Sequence, residues 1–335
     1  MKRPQISPKS QYLKGFSLIE LMISLTIGLI ITVAVFSAYI GASGASRMAE
    51  AQGRMNEDAQ AALIILSQQL RMAGNNPDQA SRVDDVDPTL ANSVRSSRHN
   101  PVYLPTPTYA GFALSPAAAT LSSYRIRGCD GTFSNITTST NLDNLTCAAG
   151  TTDSIAVSYE ADIFNTLPAG GIPTDCLGQG LSQITATLPT LVGGATVNAN
   201  VTYYVAENRF YIDTSASIPS LYCKGNGGAT QPLVENIENM QFLYGATNSA
   251  TNVTPMVAGY LNADGVIALS GNNPQNWKKV LTVRICVLVR SEIPVVSDAA
   301  SARYIKCDGT QETAPPDLRL RRAYSTTVVL RNPQL

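Results

Sequence analysis

The sequence is poor in charge. Only 14% of its 335 residues are Asp, Glu, Lys or Arg, and 24 basic residues cancel 24 acidic ones. Without a basic excess there is no electrostatic footprint for nucleic acid. There is a single histidine, His99, in the stretch SSRHNP. A Ser-His-Asp site would need it, and a lone loop histidine reads as a solvated surface residue rather than a general base. No CxxC pair occurs among the six cysteines, which argues against zinc and thioredoxin-like chemistry. No GxxxxGK[ST] phosphate loop occurs either, so any nucleotide hydrolysis that this protein depends on belongs to another chain. Paired-carboxylate, metal-ligand and nucleophile–base patterns are absent or undiagnostic. The reading is of a protein that is not an enzyme and holds no cofactor and no metal.

What the chain does have is one long apolar run. From Phe16 to Ile40 a single charge, Glu20, interrupts it. As a helix rising about 1.5 Å per residue, the run crosses a hydrocarbon core of roughly 30 Å. Residues 1–15 hold Lys2, Arg3, Lys9 and Lys14 and no acid, so this end stays in the cytoplasm and the rest is exported. Beyond residue 40 the helical pattern continues. Met48, Ala51, Met55, Ala59, Ala62, Leu63, Leu66, Leu70 and Ala73 recur at helical spacing, with charged and polar residues between them. No proline falls between Phe16 and Asn76, and Gly74, Asn75, Asn76 and Pro77 stop the helix. A rod from Phe16 to Ala73 is about 85–90 Å long. The head is too small to cover it, so its first half must be buried in lipid or in a bundle of like helices.

The opening of that run also carries a resemblance. Lys14, Gly15, Phe16, Ser17, Leu18, Ile19, Glu20 and Leu21 resemble the class III signal of type IV pilins and type II secretion pseudopilins. The resemblance implies that a prepilin peptidase cuts after Gly15 and methylates the new N-terminal residue, Phe16. A carboxylate at the centre of a membrane helix costs on the order of 2.5–3.5 kcal/mol on insertion scales. In the family the equivalent Glu pairs with an N-terminal ammonium. Glu20 would thus pair with the amine of Phe16 on the next subunit, or with the amine of its own chain; the sequence leaves both open.

The remaining chain is rich in Gly, Pro, Ser, Thr and Asn with short apolar runs between them, a β-rich composition. Cys129, Cys147, Cys176, Cys223, Cys286 and Cys307 are an even set on the exported side, so they read as disulfides. Sequence-adjacent pairing (129–147, 176–223, 286–307) is the expected choice among fifteen. Residues 75–120 read as a long loop. Strands are expected at 121–127, 154–160, 201–206 and 209–213, the last two as a hairpin about Glu207-Asn208. Leu233, Val234, Ile237 and Met240 are expected on one face of a short helix over 232–240, leading into the strand QFLYG. The best strand is 280–290, with Leu281, Val283, Ile285, Val287 and Val289 on one face. Residues 318–330 alternate similarly, and the two are expected to be central antiparallel strands packed on the second half of the helix. CDGT occurs at 129–132 and again at 307–310. Asp-Gly turns anchored by cystines are the reading, with a calcium ion on Asp130 or Asp308 the alternative. Asp264-Gly265 reads as another turn.

LVENIENMQFLYG, WKKVLTVRICVLVR and RRAYSTTVVLRN resemble the C-terminal region of PilW-type minor pilins, which share features with the J-type pseudopilin of type II secretion. Residues 75–230 match no family pattern; direct adhesion to a surface through them is permitted but not argued. The resemblance implies an α+β, pilin-like fold, a long helix packed on an antiparallel β-sheet head. It implies a leader at 1–15, a transmembrane helix at 16–40, an amphipathic half at 41–74 and an exported head at 75–335. It further implies a non-catalytic minor pilin that primes type IV pilus assembly near the pilus tip, or alternatively a J-type pseudopilin. Its partners would be other minor pilins, the major pilin, a tip adhesin, the prepilin peptidase and the inner-membrane assembly platform. It would sit in the inner membrane before assembly and at the cell surface after it.

Overall fold

The structure is a computed structural model. It describes residues 15–75, 108–109, 112–113, 124–139, 142–192, 195–227, 229–247, 256–271 and 273–332. The leader up to residue 14, His99 and most of the 75–120 stretch lie outside the described residues.

One helix, α1, runs unbroken from Leu18 to Met72. The chain divides into two compact units, residues 1–50 and 51–335, with the division inside this helix. In the first unit every side chain from Leu18 to Ile40 is exposed, and the helix is long and apolar enough to cross a membrane. In the second unit α1 is amphipathic. Met55, Ala59, Ala62, Leu66 and Leu70 are buried, one stripe at spacings of three and four. Gly74 has φ of 72°, a left-handed stop that suits glycine.

The strands of the second unit are β1 (Thr108–Tyr109), β2 (Phe112–Ala113), β3 (Ile126–Cys129), β4 (Ser154–Ala161), β5 (Ile184–Val192), β6 (Ala195–Ser215), β7 (Ile218–Lys224) and β8 (Gln231–Glu235). There follow β9 (Ile237–Ala246), β10 (Gly259–Leu261), α2 (Ala263–Ile267), α3 (Asn273–Lys278), β11 (Val280–Arg290), β12 (Tyr304–Ile305), β13 (Gln311–Glu312) and β14 (Arg321–Val329). They build two larger antiparallel sheets, not one. The first has the order β3-β4-β6-β7-β8 with β5 on the outer half of β6; the second has the order β10-β9-β11-β14. Val283, Ile285, Val287 and Val289 of β11, Phe242 and Tyr244 of β9, and Val328 share one buried core with the α1 stripe. Of the two strands expected at the sheet centre, β11 is central and β14 lies at the end of the sheet order.

Four further expectations are corrected. The hairpin about Glu207-Asn208 does not form; β6 is a single strand of 21 residues. Both side chains are buried, and Asn208 is fully engaged. Its Oδ1 accepts from Cys176 N, and its Nδ2 donates to Gln69 Oε1 and Tyr159 Oη. The turn comes later, at Ala216 and Ser217, whose φ of 50° and 67° are those of a two-residue hairpin loop. The helix over 232–240 is two strands, β8 and β9, parted by Asn236 at φ 61°. A register shift opposite Ile237 resets the alternation there. Ile237 and Met240 therefore both face inward three residues apart, a spacing that imitates a helix. Asp264-Gly265 is not a turn but the first part of α2, capped by Asn262. Strand β3 begins later than expected, at Ile126.

The structure joins Cys129 to Cys147, Cys176 to Cys223 and Cys286 to Cys307. The first bridge closes a loop over β3, the second ties the 176 loop to β7, and the third tethers the 291–320 excursion to the outer face of β11.

Candidate functional site

The chemistry of the N-terminal stretch starts at the backbone. The first N–H groups of a helix lack intrahelical partners and need capping. Ser17 and Glu20 supply it reciprocally. Ser17 N–H donates to Glu20 Oε2 at 3.0 Å, and Glu20 N–H donates to Ser17 Oγ at 3.2 Å. This is the S-x-x-E capping box, and it sits one residue after Phe16. Gly15 and Phe16 precede the helix, and Phe16 is exposed. Further along, Ser24, Thr26, Thr32 and Ser37 turn their hydroxyls back onto carbonyls of their own helix. Their polar atoms are thus satisfied without water, as a hydrocarbon environment requires. Glu20 is the one charged side chain between Phe16 and Ile40. Leu25, Gly28, Leu29, Thr32, Val33 and Phe36 line a shallow apolar groove on one side of the helix.

In the head, the polar residues that the sequence singled out are structural. Asp130 of the first CDGT accepts from the N–H groups of Ala263 and Asp264, at 2.9 Å each, so it caps α2. Asp308 of the second accepts from the N–H and Oγ1 of its own Thr310, closing a turn. Gly131 and Gly309 hold the positive φ that both turns need. Among the described residues no three His, Cys, Asp or Glu side chains gather as metal ligands. His99 lies outside the described residues.

Two buried ionic groups escaped the sequence reading. Arg321, its side chain 1% exposed, donates from Nε and Nη2 to both oxygens of Glu238 at 2.6 and 2.9 Å, and from Nη1 to Asp317 at 2.7 Å. The Arg321 hydrogen bond holds the Asp317 carboxyl well below the usual carboxylate range. Arg209 lies 3.5 Å from Glu207, both nearly inaccessible. Burial outweighs that neighbour and pushes the Glu207 carboxyl up to about 8. Burial likewise pushes Asp153 up to about 7, although it accepts from Phe242 N–H. The only available signal was alternation. Arg321 and Glu207 each interrupt an otherwise readable strand, and an isolated charge in a strand looks the same whether it faces in or out.

Comparison with known families bears on both of these regions. Residues 202–332 match the family described as type IV pilus-assembly protein W, and residues 13–36 match the prokaryotic N-terminal methylation motif. The C-terminal part of the chain is thus similar to PilW-type minor pilins, and its N-terminal stretch carries a pilin-type methylation motif. The PilW match covers the larger part of β6 through β14; the methylation motif covers Gly15, Phe16, Glu20 and most of the apolar run. Residues 37–201 fall outside both. A type IV-like pilin from Thermus thermophilus is similar over 56% of this chain and 82% of that one, at 12% identity and a TM-score of 0.25. No curated protein matches. The chain thus presents a methylation motif and an apolar helix that fit a membrane-anchored pilin, followed by a cystine-bridged antiparallel head.

Proposed function

We propose that this chain is a non-catalytic minor pilin that primes type IV pilus assembly and sits at or near the pilus tip. It docks there through its N-terminal helix beside other minor pilins and the major pilin, beneath a tip adhesin. Prepilin peptidase removes residues 1–15 and methylates Phe16. Before assembly the helix is held in the inner membrane with the head on the periplasmic side; after assembly the head is at the cell surface. The assembly ATPase and the inner-membrane platform that act on it are other chains, in keeping with the lack of a phosphate-binding loop in this sequence.

One observation carries the reading. A basic residue, a glycine, an aromatic and a glutamate in the order Lys14, Gly15, Phe16, Glu20 open a helix whose side chains stay exposed as far as Ile40. That much apolar surface has to be covered by lipid and then by other helices, and the one carboxylate in it needs a cationic partner. Intact mass and N-terminal sequencing of membrane-extracted protein test this. Methylated Phe16 at the N-terminus is the expected result, and a bulky residue in place of Gly15 leaves the precursor uncut. An N-terminus at Met1 in a host with active peptidase overturns the reading.

A further inference from the structure

On the outer face of the second sheet, the disulfide between Cys286 and Cys307 holds a hairpin against the strands. The hairpin is β12 and β13, with Tyr304 opposite Glu312 and Ile305 opposite Gln311. Its turn is fixed by Lys306 N–H donating to Thr310 O at 2.9 Å and by Gly309 at φ 82°. Between the turn and the sheet lies a half-enclosed hollow of about 300 Å³. The strand register builds its floor. Gln241 of β9, Cys286 of β11 and Ser325 of β14 stand side by side, and Leu243 stands beside Arg284 in the next row. Every side chain that lines the hollow belongs to a described residue.

Two cations and no acid line it. The Arg284 guanidinium lies over the Tyr260 ring, 4.4 Å from its centre, and Thr282 Oγ1 donates to Tyr260 Oη at 3.3 Å. A guanidinium stacked on a ring keeps its in-plane N–H groups for other partners. Among the described residues no carboxylate pairs with Arg284, unlike Arg209, Arg319 and Arg321. Lys306 has Glu312 at 3.9 Å, a long and partly exposed contact that holds it weakly. Two cations less that one carboxylate leave the hollow a single net positive charge.

The rest of the lining is mixed. Leu243, Ala323 and the cystine offer apolar surface, and Ser325 offers a hydroxyl. Gln241 Nε2 donates to Thr151 O at 2.9 Å and to Asn239 Oδ1 at 3.2 Å, which leaves Oε1 as an acceptor. Apolar walls with a few fixed polar groups are the usual form of a small-ligand site. A single net positive charge matches a carboxylate better than a doubly charged phosphate, and a guanidinium takes a carboxylate by two parallel hydrogen bonds. The hydroxyl and the amide oxygen match a ligand that also carries hydroxyl groups.

We propose that the hollow binds a hydroxylated monocarboxylate about the size of one sugar ring, a uronic acid being the type. Arg284 grips the carboxylate and Lys306 donates a further hydrogen bond to it. Ser325 and Gln241 meet the hydroxyls, and Leu243 and Ala323 pack against the C–H face of the ring. The site lies on the face of the sheet opposite the core that it shares with α1, so the proposed function stands or falls separately.

The test uses the full-length chain in detergent at fixed ionic strength, with D-glucuronate as the probe. Binding is read by saturation-transfer NMR and by melting temperature. The expected result is a saturable signal and a melting temperature that rises with glucuronate concentration. Arg284→Gln and Lys306→Gln should each weaken binding tenfold or more, as loss of a charged hydrogen bond does. Arg284→Gln also loses its place on Tyr260, so Lys306→Gln, on the hairpin, is the independent check. Lys279→Gln, a cation outside the hollow, should bind as the parent does. Glucose or inorganic phosphate giving the same saturable response overturns the inference. So does binding that either substitution in the hollow leaves unchanged, or a folded parent chain that binds no glucuronate.

Discussion

Ser17 and Glu20 close a reciprocal pair at the head of α1, with the Glu20 carboxylate on the Ser17 N–H at 3.0 Å. In a single chain the carboxylate is therefore already engaged, one residue from the atom that becomes the ammonium after cleavage. A cap of this kind is worth about 1 kcal/mol. An ion pair with an N-terminal ammonium in a membrane would have to compete with it.

The two roles separate by substitution. Glu20→Gln keeps an acceptor for the Ser17 N–H and removes the charge; Glu20→Ala removes both. Both variants should insert normally, since each makes the helix less charged, and both should lose piliation in counts by electron microscopy. Wild-type piliation in Glu20→Gln would mean that the cap, not the charge, is what assembly needs.

The buried carboxyls predict a pH dependence of the head. Glu207 and Asp153 titrate near 8 and 7 in the folded chain but near 4 when unfolded. Between those limits the folded state binds more protons at these two sites, so their contribution to stability is largest below about pH 4 and is lost as the pH rises through 8. Glu207→Gln and Asp153→Asn remove this slope. In detergent, the melting temperature of each variant should gain on the parent by a few degrees between pH 5 and pH 8.5. Parallel profiles would show that burial does not hold these carboxyls protonated.

Removing Arg321 takes the most buried partner from two carboxylates, leaving Glu238 with Arg290 at 3.7 Å and Asp317 with Arg319 at 2.7 Å. Arg321→Met should cost about 3–5 kcal/mol in denaturant unfolding. Arg321→Lys should not rescue it, because an ammonium cannot make the two-pronged contact with Glu238 and reach Asp317 as well. Adding Glu238→Gln and Asp317→Asn to Arg321→Met should recover part of the loss; a further decline would contradict this account.

Gly128 is a close-approach glycine. A Cβ there would lie 1.9 Å from Tyr244 Oη and 3.0 Å from Trp277. Tyr244 and Trp277 are buried edge to face at 4.9 Å between rings. Gly128→Ala should destabilise the head by about 1–3 kcal/mol. Tyr244→Phe alone should be near neutral, because the hydroxyl makes no hydrogen bond among the described residues. Combined with Gly128→Ala it should restore part of the stability, measured as a double-mutant cycle.

Period and punctuation made α1 and β11 readable. Met55 to Leu70 repeat at helical spacing, and Val283 to Val289 alternate without a break, so their faces followed directly. The same rules failed where side chains compete with local geometry. Asn208 reads as a turn residue, yet its amide is engaged by Cys176, Gln69 and Tyr159, contacts from distant parts of the chain. The turn that does form uses Ala216 and Ser217, which carry no turn signature. Ile237 and Met240 read as a helix because a register shift removed one step of the alternation. At the N-terminus the motif was fully readable, and the capping role of Glu20 was hidden behind it.

The core that holds residues 51–72 of α1 is finished by the last strand of the chain. Val328 and Leu330 are buried in the same core as Leu66 and Leu70, Tyr324 Oη donates to Asn56 Oδ1 at 2.6 Å, and Asn332 Nδ2 reaches the carbonyls of Arg71 and Ala73. Synthesis delivers the helix early and its covering strand some 250 residues later. Until then the apolar stripe of α1 waits uncovered, exposed to proteases and to other apolar chains. Shortening the C-terminus by a dozen residues would leave it so permanently.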